Sequence, residues 1–113
     1  NHLVRPTMYG SYHKILNASR ISATEKNVVV VGNICESGDI LSRSGDEISR
    51  TMSSPAIGER LAFLDTGAYG FSMSSQYNFR PRPAEVLVHQ GQSRLIRRAE
   101  TFEDLTQCFV DFN

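Results

Sequence analysis

The sequence predicts a mainly β fold, a barrel or sandwich of short strands ending in one late helix. Three observations predict it. Short β-branched or alternating apolar runs recur between turn residues, Gly and Pro interrupt the chain before a long helix can form, and a capping signal with helical spacing occurs only from Thr101 onward. With 113 residues the chain can bury a core without metal or disulfide staples, and it is expected to form one domain, residues 1–113.

In chain order, residues 5–9 (Arg-Pro-Thr-Met-Tyr) come first, with a guanidinium and a phenol four residues apart. In a strand Arg5 and Tyr9 would share one parity and face the same side. Four consecutive valines, 28–31, lie between Asn27 and Gly32, the pattern of a strand buried on both faces. A polar loop follows over residues 33–39. Residues 42–58 are mostly Ser, Arg, Gly, Asp and Glu, which predicts an irregular or partly extended excursion. Residues 59–65 return to strand character, and Gly67 and Gly70 then break it, leading into a loop or short helical turn as far as Tyr77.

Arg80-Pro81-Arg82-Pro83 forces extended backbone, because Pro fixes its own φ and keeps its predecessor out of the α region. Residues 85–89 and 93–97 flank Gly91 and predict a β-hairpin. Thr101 and Asp104 form a capping box, and Phe102, Leu105, Phe109 and Phe112 recur at helical spacing. Cys108, beside that stripe, reads as a small buried hydrophobe.

Composition excludes several classes. Twelve basic and twelve acidic side chains leave no net charge, so there is no electrostatic footprint for nucleic acid or anionic lipid. The valine run is far shorter than the ~20 apolar residues of a membrane helix, and no charged-then-apolar leader opens the chain; a soluble, cytoplasmic protein is expected. Cys35 and Cys108 read as free thiols. With His2, His13 and His89 they show no ligand spacing, so no metal is expected. The triplet Asn17-Ala18-Ser19 matches a glycosylation acceptor, a pattern that often arises by chance.

Three segments hold chemistry-bearing side chains. Cys35-Glu36-Ser37-Gly38-Asp39 puts a thiol, two carboxylates and a permissive glycine in one loop after a strand. A thiol beside carboxylates is poorly suited to act as a thiolate nucleophile and better suited to donate a proton; the same residues also suit an ordinary polar turn. Asp65-Thr66-Gly67-Ala68-Tyr69-Gly70 brackets a phenol with two glycines, where backbone amides can approach an anion such as phosphate, or where an aromatic simply packs in a turn. Arg5 and Tyr9 can grip a carboxylate together, or lie solvated.

Taken together, in order and spacing, these segments resemble the C-terminal domain of the diaminopimelate decarboxylases. The resemblance rests on Leu-Val-Arg-Pro-Thr-Met-Tyr-Gly at 3–10, Val-Val-Gly-Asn-Ile-Cys-Glu-Ser-Gly-Asp at 30–39, Asp-Thr-Gly-Ala-Tyr-Gly at 65–70 and Tyr-Asn-Phe-Arg-Pro-Arg-Pro-Ala-Glu-Val-Leu-Val at 77–88. It implies a C-terminal β-barrel of the alanine racemase type, preceded in the family by an α/β barrel that holds pyridoxal 5'-phosphate on a lysine. That lysine, a glycine-rich phosphate loop and an upstream arginine would lie outside this chain, which alone is expected to be inactive.

The resemblance further implies that Cys35 protonates the substrate carbon after carbon dioxide leaves and that Glu36 meets the distal amino group. Arg5 and Tyr9 would hold the distal carboxylate, and Tyr69 would contact the cofactor and the substrate. The implied substrate is a small amino acid, meso-diaminopimelate, converted to lysine; the implied assembly is a homodimer with shared sites. Related decarboxylases of ornithine, lysine, arginine or carboxynorspermidine share the fold, and a non-catalytic interaction module is the alternative from another class. The complete polar set Arg5, Tyr9, Cys35, Glu36 and Tyr69 argues against such a module.

Overall fold

The computed structural model describes residues 2–22 and 24–111. They form two compact units, divided between Ser74 and Ser75. The strands outnumber the helices, as expected. All ladders are antiparallel pairs, with no closed barrel among the described residues.

The first unit opens with helix α1 (Arg5–Tyr9), not a strand. Pro6 sits in its first turn, where a missing N–H costs nothing, and Gly10 ends it with φ +61°, donating to the Pro6 carbonyl at 3.0 Å. The helix keeps the side-chain relation anticipated for a strand, because positions i and i+4 also share a face. Strand β1 (Ile15–Asn17) pairs with β4 (Leu61–Phe63), and β2 (Glu25–Val28) pairs with β3 (Arg50–Ser53). Strand β3 is the extended part of the stretch expected to be irregular or partly extended; its alternation is hidden because only Met52 is an apolar anchor.

The valine run departs from its expectation. β2 ends at Val28, and Val31 forms only a bridge to Ile40. Val28 and Val30 are half-buried while Val29 and Val31 are exposed, the period-two pattern of a strand covered on one face. A run of four identical residues carries no periodicity from which this could be read.

The interior of the first unit combines apolar Ile15 and Met52 with polar His13, Asn17 and Ser42. Ser42 is fully buried; its hydroxyl accepts from the Val30 amide at 2.9 Å and donates to the Ile48 carbonyl. Asn17, 1% exposed, donates to Glu59 at 2.7 Å and accepts from the amides of Ser19 and Arg20. The side chain of the glycosylation-like triplet is thus consumed inside the fold. Glu59 also accepts from the Ala56 amide, and these bonds, Ala56 first, hold its carboxyl below the ordinary value. Buried His13 meets the Leu64 carbonyl through Nδ1 at 3.2 Å, and its Nε2 has no partner among the described residues.

The second unit is built around the expected hairpin, β5 (Glu85–His89) and β6 (Gln92–Arg97). Gln90 and Gly91 both have positive φ, the two-residue turn whose twist matches paired strands. Glu100 accepts from the Arg82 amide at 2.7 Å and its guanidinium at 2.9 Å, fastening the extended Arg-Pro-Arg-Pro segment. Helix α2 (Phe102–Thr106) has the expected capping box but stops before Cys108, which is exposed. Phe102 and Phe109 meet at Phe79, with ring centroids 5.9 and 6.5 Å away. The aromatic spacing therefore marks a cluster around Phe79 more than one long helical face; Phe112 lies outside the described residues.

Candidate functional site

The first unit brings Arg5, Tyr9 and Tyr69 together. The Arg5 guanidinium lies 5.3 Å from the centre of the Tyr9 ring and 5.0 Å from that of Tyr69, within cation–π range of both. Tyr9 reaches it because it stands one turn along α1. Tyr69 reaches it from the far end of the unit, on a turn over Gly67–Gly70 where its own φ is +63°. A left-handed backbone at a bulky residue costs about 1–3 kcal/mol and recurs where a side chain must be presented to a ligand.

Among the described residues no carboxylate pairs with Arg5, whereas Arg20, Arg82, Arg97 and Arg98 each have one. Two π faces orient the guanidinium without neutralising it, leaving its forked donors for an external anion. Nothing crowds the α-carbons of Gly67 and Gly70, so backbone beside Tyr69 is open to close approach.

Cys35 and Glu36 stand on the loop closed by the Val31–Ile40 bridge. The loop is internally braced. Glu36 accepts from the Gly38 amide at 3.0 Å, its carbonyl accepts from the Asp39 amide at 3.1 Å, and Asp39 accepts from the Ile34 amide at 3.3 Å. Gly32 lets the Asp39 carboxylate pack against the backbone here, since a Cβ would stand 1.8 Å from it and force that side chain to shift. The Cys35 thiol is free and exposed.

Thr7, on α1 between Arg5 and Tyr9, donates through Oγ1 to the Gly38 carbonyl. It joins the helix to the thiol loop, and sequence reasoning had given it no role; a hydroxyl inside the Arg-Pro-Thr-Met-Tyr motif was the only available signal. No group of three or more His, Cys, Asp or Glu side chains among the described residues is placed to hold a metal ion, and no helix there is long and apolar enough to cross a membrane.

Residues 1–67 match the family model described as the pyridoxal-dependent decarboxylase C-terminal sheet domain. The diaminopimelate decarboxylase of Methanothermobacter thermautotrophicus is 51% identical over 106 residues, which are 93% of this chain and 24% of that protein. The Escherichia coli K12 diaminopimelate decarboxylase is 46% identical over 112 residues, 93% of this chain and 27% of the relative. Among solved structures, the M. jannaschii diaminopimelate decarboxylase in complex with L-lysine superposes with a TM-score of 0.85 at 37% identity, covering 97% of this chain and 24% of that one. The chain thus spans about a quarter of the length of the curated relatives it matches.

Proposed function

Because the chain belongs to the pyridoxal-dependent decarboxylases, as their C-terminal sheet domain, we propose that residues 1–113 form the C-terminal domain of an enzyme that converts meso-2,6-diaminopimelate to L-lysine and carbon dioxide. An N-terminal α/β barrel outside this chain completes that enzyme, which works in the cytoplasm as a homodimer with shared sites. The observation that carries the reading is the Arg5 guanidinium, within cation–π range of two tyrosine rings and with no carboxylate partner among the described residues.

In this reading Arg5 and Tyr9 bind the distal carboxylate, with Arg5 supplying two parallel donors. Glu36 receives the distal ammonium, and Tyr69 contacts both substrate and cofactor. Pyridoxal phosphate supplies an electron sink for the pair released as the carboxylate departs. The open glycines and phenol around Tyr69 fit an anionic ligand, and Tyr69 is the residue of this chain assigned to it.

The carbon–carbon bond to the departing carboxylate breaks and its electron pair stays with the substrate carbon. Cys35 donates its thiol proton to that carbon, forming a C–H bond, and is reprotonated from solvent. One proton is consumed for each carbon dioxide released. An exposed thiol on a braced loop suits this role, since delivery demands position more than nucleophilicity.

The test is carbon dioxide release by the full-length protein with pyridoxal phosphate, offered diaminopimelate, ornithine, lysine, arginine or carboxynorspermidine. Turnover of diaminopimelate with one lysine formed per carbon dioxide is expected. Preference for any of the other four overturns the substrate assignment.

A further inference from the structure

Arg5 and Tyr9 stand on α1 and Tyr69 on a distant turn, and the two stretches of chain that carry them meet at His13. His13 follows Tyr9 by four residues, and Leu64 precedes Tyr69 by five. Ile15–Phe63 closes the β1–β4 ladder on this side. Beyond it, the Leu64 amide donates to the Lys14 carbonyl at 2.8 Å, and His13 Nδ1 donates to the Leu64 carbonyl at 3.2 Å. A carbonyl only accepts, so Nδ1 carries the hydrogen of that bond. Leu64 is thus held by both its amide and its carbonyl immediately before Asp65, where a φ of +56° turns the chain into the segment that ends at Tyr69.

His13 is itself fixed. Its carbonyl accepts from Arg50 Nη1 at 3.4 Å, and the same guanidinium donates to the Ser42 carbonyl at 2.9 Å and lies 3.9 Å from the centre of the Tyr12 ring. The imidazole is 6% exposed, and with Nε2 unmatched among the described residues its one polar tie there is the Leu64 bond. Burying a ring with one nitrogen unmatched has a cost that an apolar side chain would avoid. What the ring supplies in return is a donor at the entry to the Tyr69 turn. We propose that His13 is a positioning residue: by holding the Leu64 carbonyl it sets where that turn begins relative to α1, and so keeps the Tyr69 ring centre 5.0 Å from the Arg5 guanidinium. The inference rests on the decarboxylase reading for its kinetic consequence, since in that reading this face grips the distal carboxylate. The tie itself is measurable without turnover.

The experiment uses the full-length protein with pyridoxal phosphate, three variants and two readouts. His13→Leu removes the donor and keeps apolar bulk. His13→Asn returns an N–H at the same number of bonds from Cβ as Nδ1, whereas His13→Gln carries its N–H one bond further, where Nε2 stood. In His13→Leu, hydrogen exchange of the amides of residues 65–70 rises by about threefold to tenfold, the scale of one lost hydrogen bond. In the same variant KM for diaminopimelate rises by about tenfold while kcat stays within about twofold, because a displaced grip weakens binding of substrate and transition state alike. His13→Asn restores both readouts and His13→Gln restores neither. A loss of folded protein alone would lower kcat at unchanged KM, so the split separates positioning from general destabilisation.

Unchanged exchange over residues 65–70 in His13→Leu overturns the inference, and so does looser exchange with an unchanged KM. Equal behaviour of His13→Asn and His13→Gln also counts against it, since the position of the donor would then be immaterial. A wild-type protein that does not decarboxylate diaminopimelate contradicts the functional reading instead, while exchange in the three variants still decides whether the tie exists.

Discussion

Arg5 and Tyr69, brought together from opposite ends of the first unit's sequence, lie with guanidinium and ring centre 5.0 Å apart. Arg5 and Tyr9 are neighbours by helical geometry alone, so Tyr69 is the member that joins this local pair to distant chain. The left-handed Tyr69 backbone is a local cost that the fold sustains to present this ring.

Gly10→Ala is expected to destabilise the full-length protein. The left-handed conformation alone costs about 1–2 kcal/mol for a residue with a Cβ. The new methyl would also stand 2.8 Å from the Gly45 amide nitrogen, adding to that loss. A lowered thermal midpoint together with faster exchange around α1 checks this; an unchanged midpoint contradicts it.

Ser42→Ala removes, from a fully buried position, the hydroxyl that pairs with both the Val30 amide and the Ile48 carbonyl. The expected loss is about 1–3 kcal/mol, the cost of leaving such polar groups unmatched. Urea unfolding followed alongside Ser37→Ala, whose hydroxyl is exposed, separates the buried effect from a generic one.

Acid sensitivity follows from Asp104. The Arg98 guanidinium, and then the Thr101 amide, hold its carboxyl well below its ordinary value of 3.8. A depressed carboxyl stabilises the fold at pH values above the unfolded one and loses that contribution as pH falls toward the folded one. The difference in unfolding midpoint between wild type and Asp104→Asn should therefore be full near neutrality and shrink below pH 3.8. A difference independent of pH would show that the charge is not responsible.

Mixing two inactive full-length variants tests the shared site, one without the cofactor lysine and one carrying Cys35→Ala. If the Cys35 loop serves the partner subunit, each mixed dimer has one intact site, and activity returns to roughly a quarter of wild type. With subunit exchange verified by differential tags, no return places Cys35 in its own subunit's site.

Local signals were the legible ones. The hairpin around Gly91 and the Thr101/Asp104 box are specified by nearby residues, and both formed, the second hairpin strand beginning one residue earlier than read, at Gln92. The Arg5–Tyr9 pairing survived a wrong element because a spacing of four puts side chains together in a strand and in a helix; Pro6 near the start and Gly10 at the end were the overlooked helix signals. What was not legible depends on distant chain. No local pattern marks Tyr69 as the neighbour of Arg5 or Gly38 as the partner of Thr7, and Cys108 is exposed because α2 ends early. The catalytic and binding roles themselves came from resemblance, since a thiol and two carboxylates in a loop also describe an ordinary turn.

The central claim is that Arg5 grips the carboxylate that survives the reaction. Decarboxylation at one end of diaminopimelate leaves the other amino acid end intact, so L-lysine retains the distal carboxylate and cadaverine lacks it. The decisive measurement is competitive inhibition of full-length wild type and Arg5→Lys by these two compounds. Lys cannot reproduce the planar two-donor geometry, so lysine binding should weaken by about 2–5 kcal/mol, with a matching fall in kcat/KM for diaminopimelate, while cadaverine is nearly unaffected. Equal weakening of lysine and cadaverine would contradict the account.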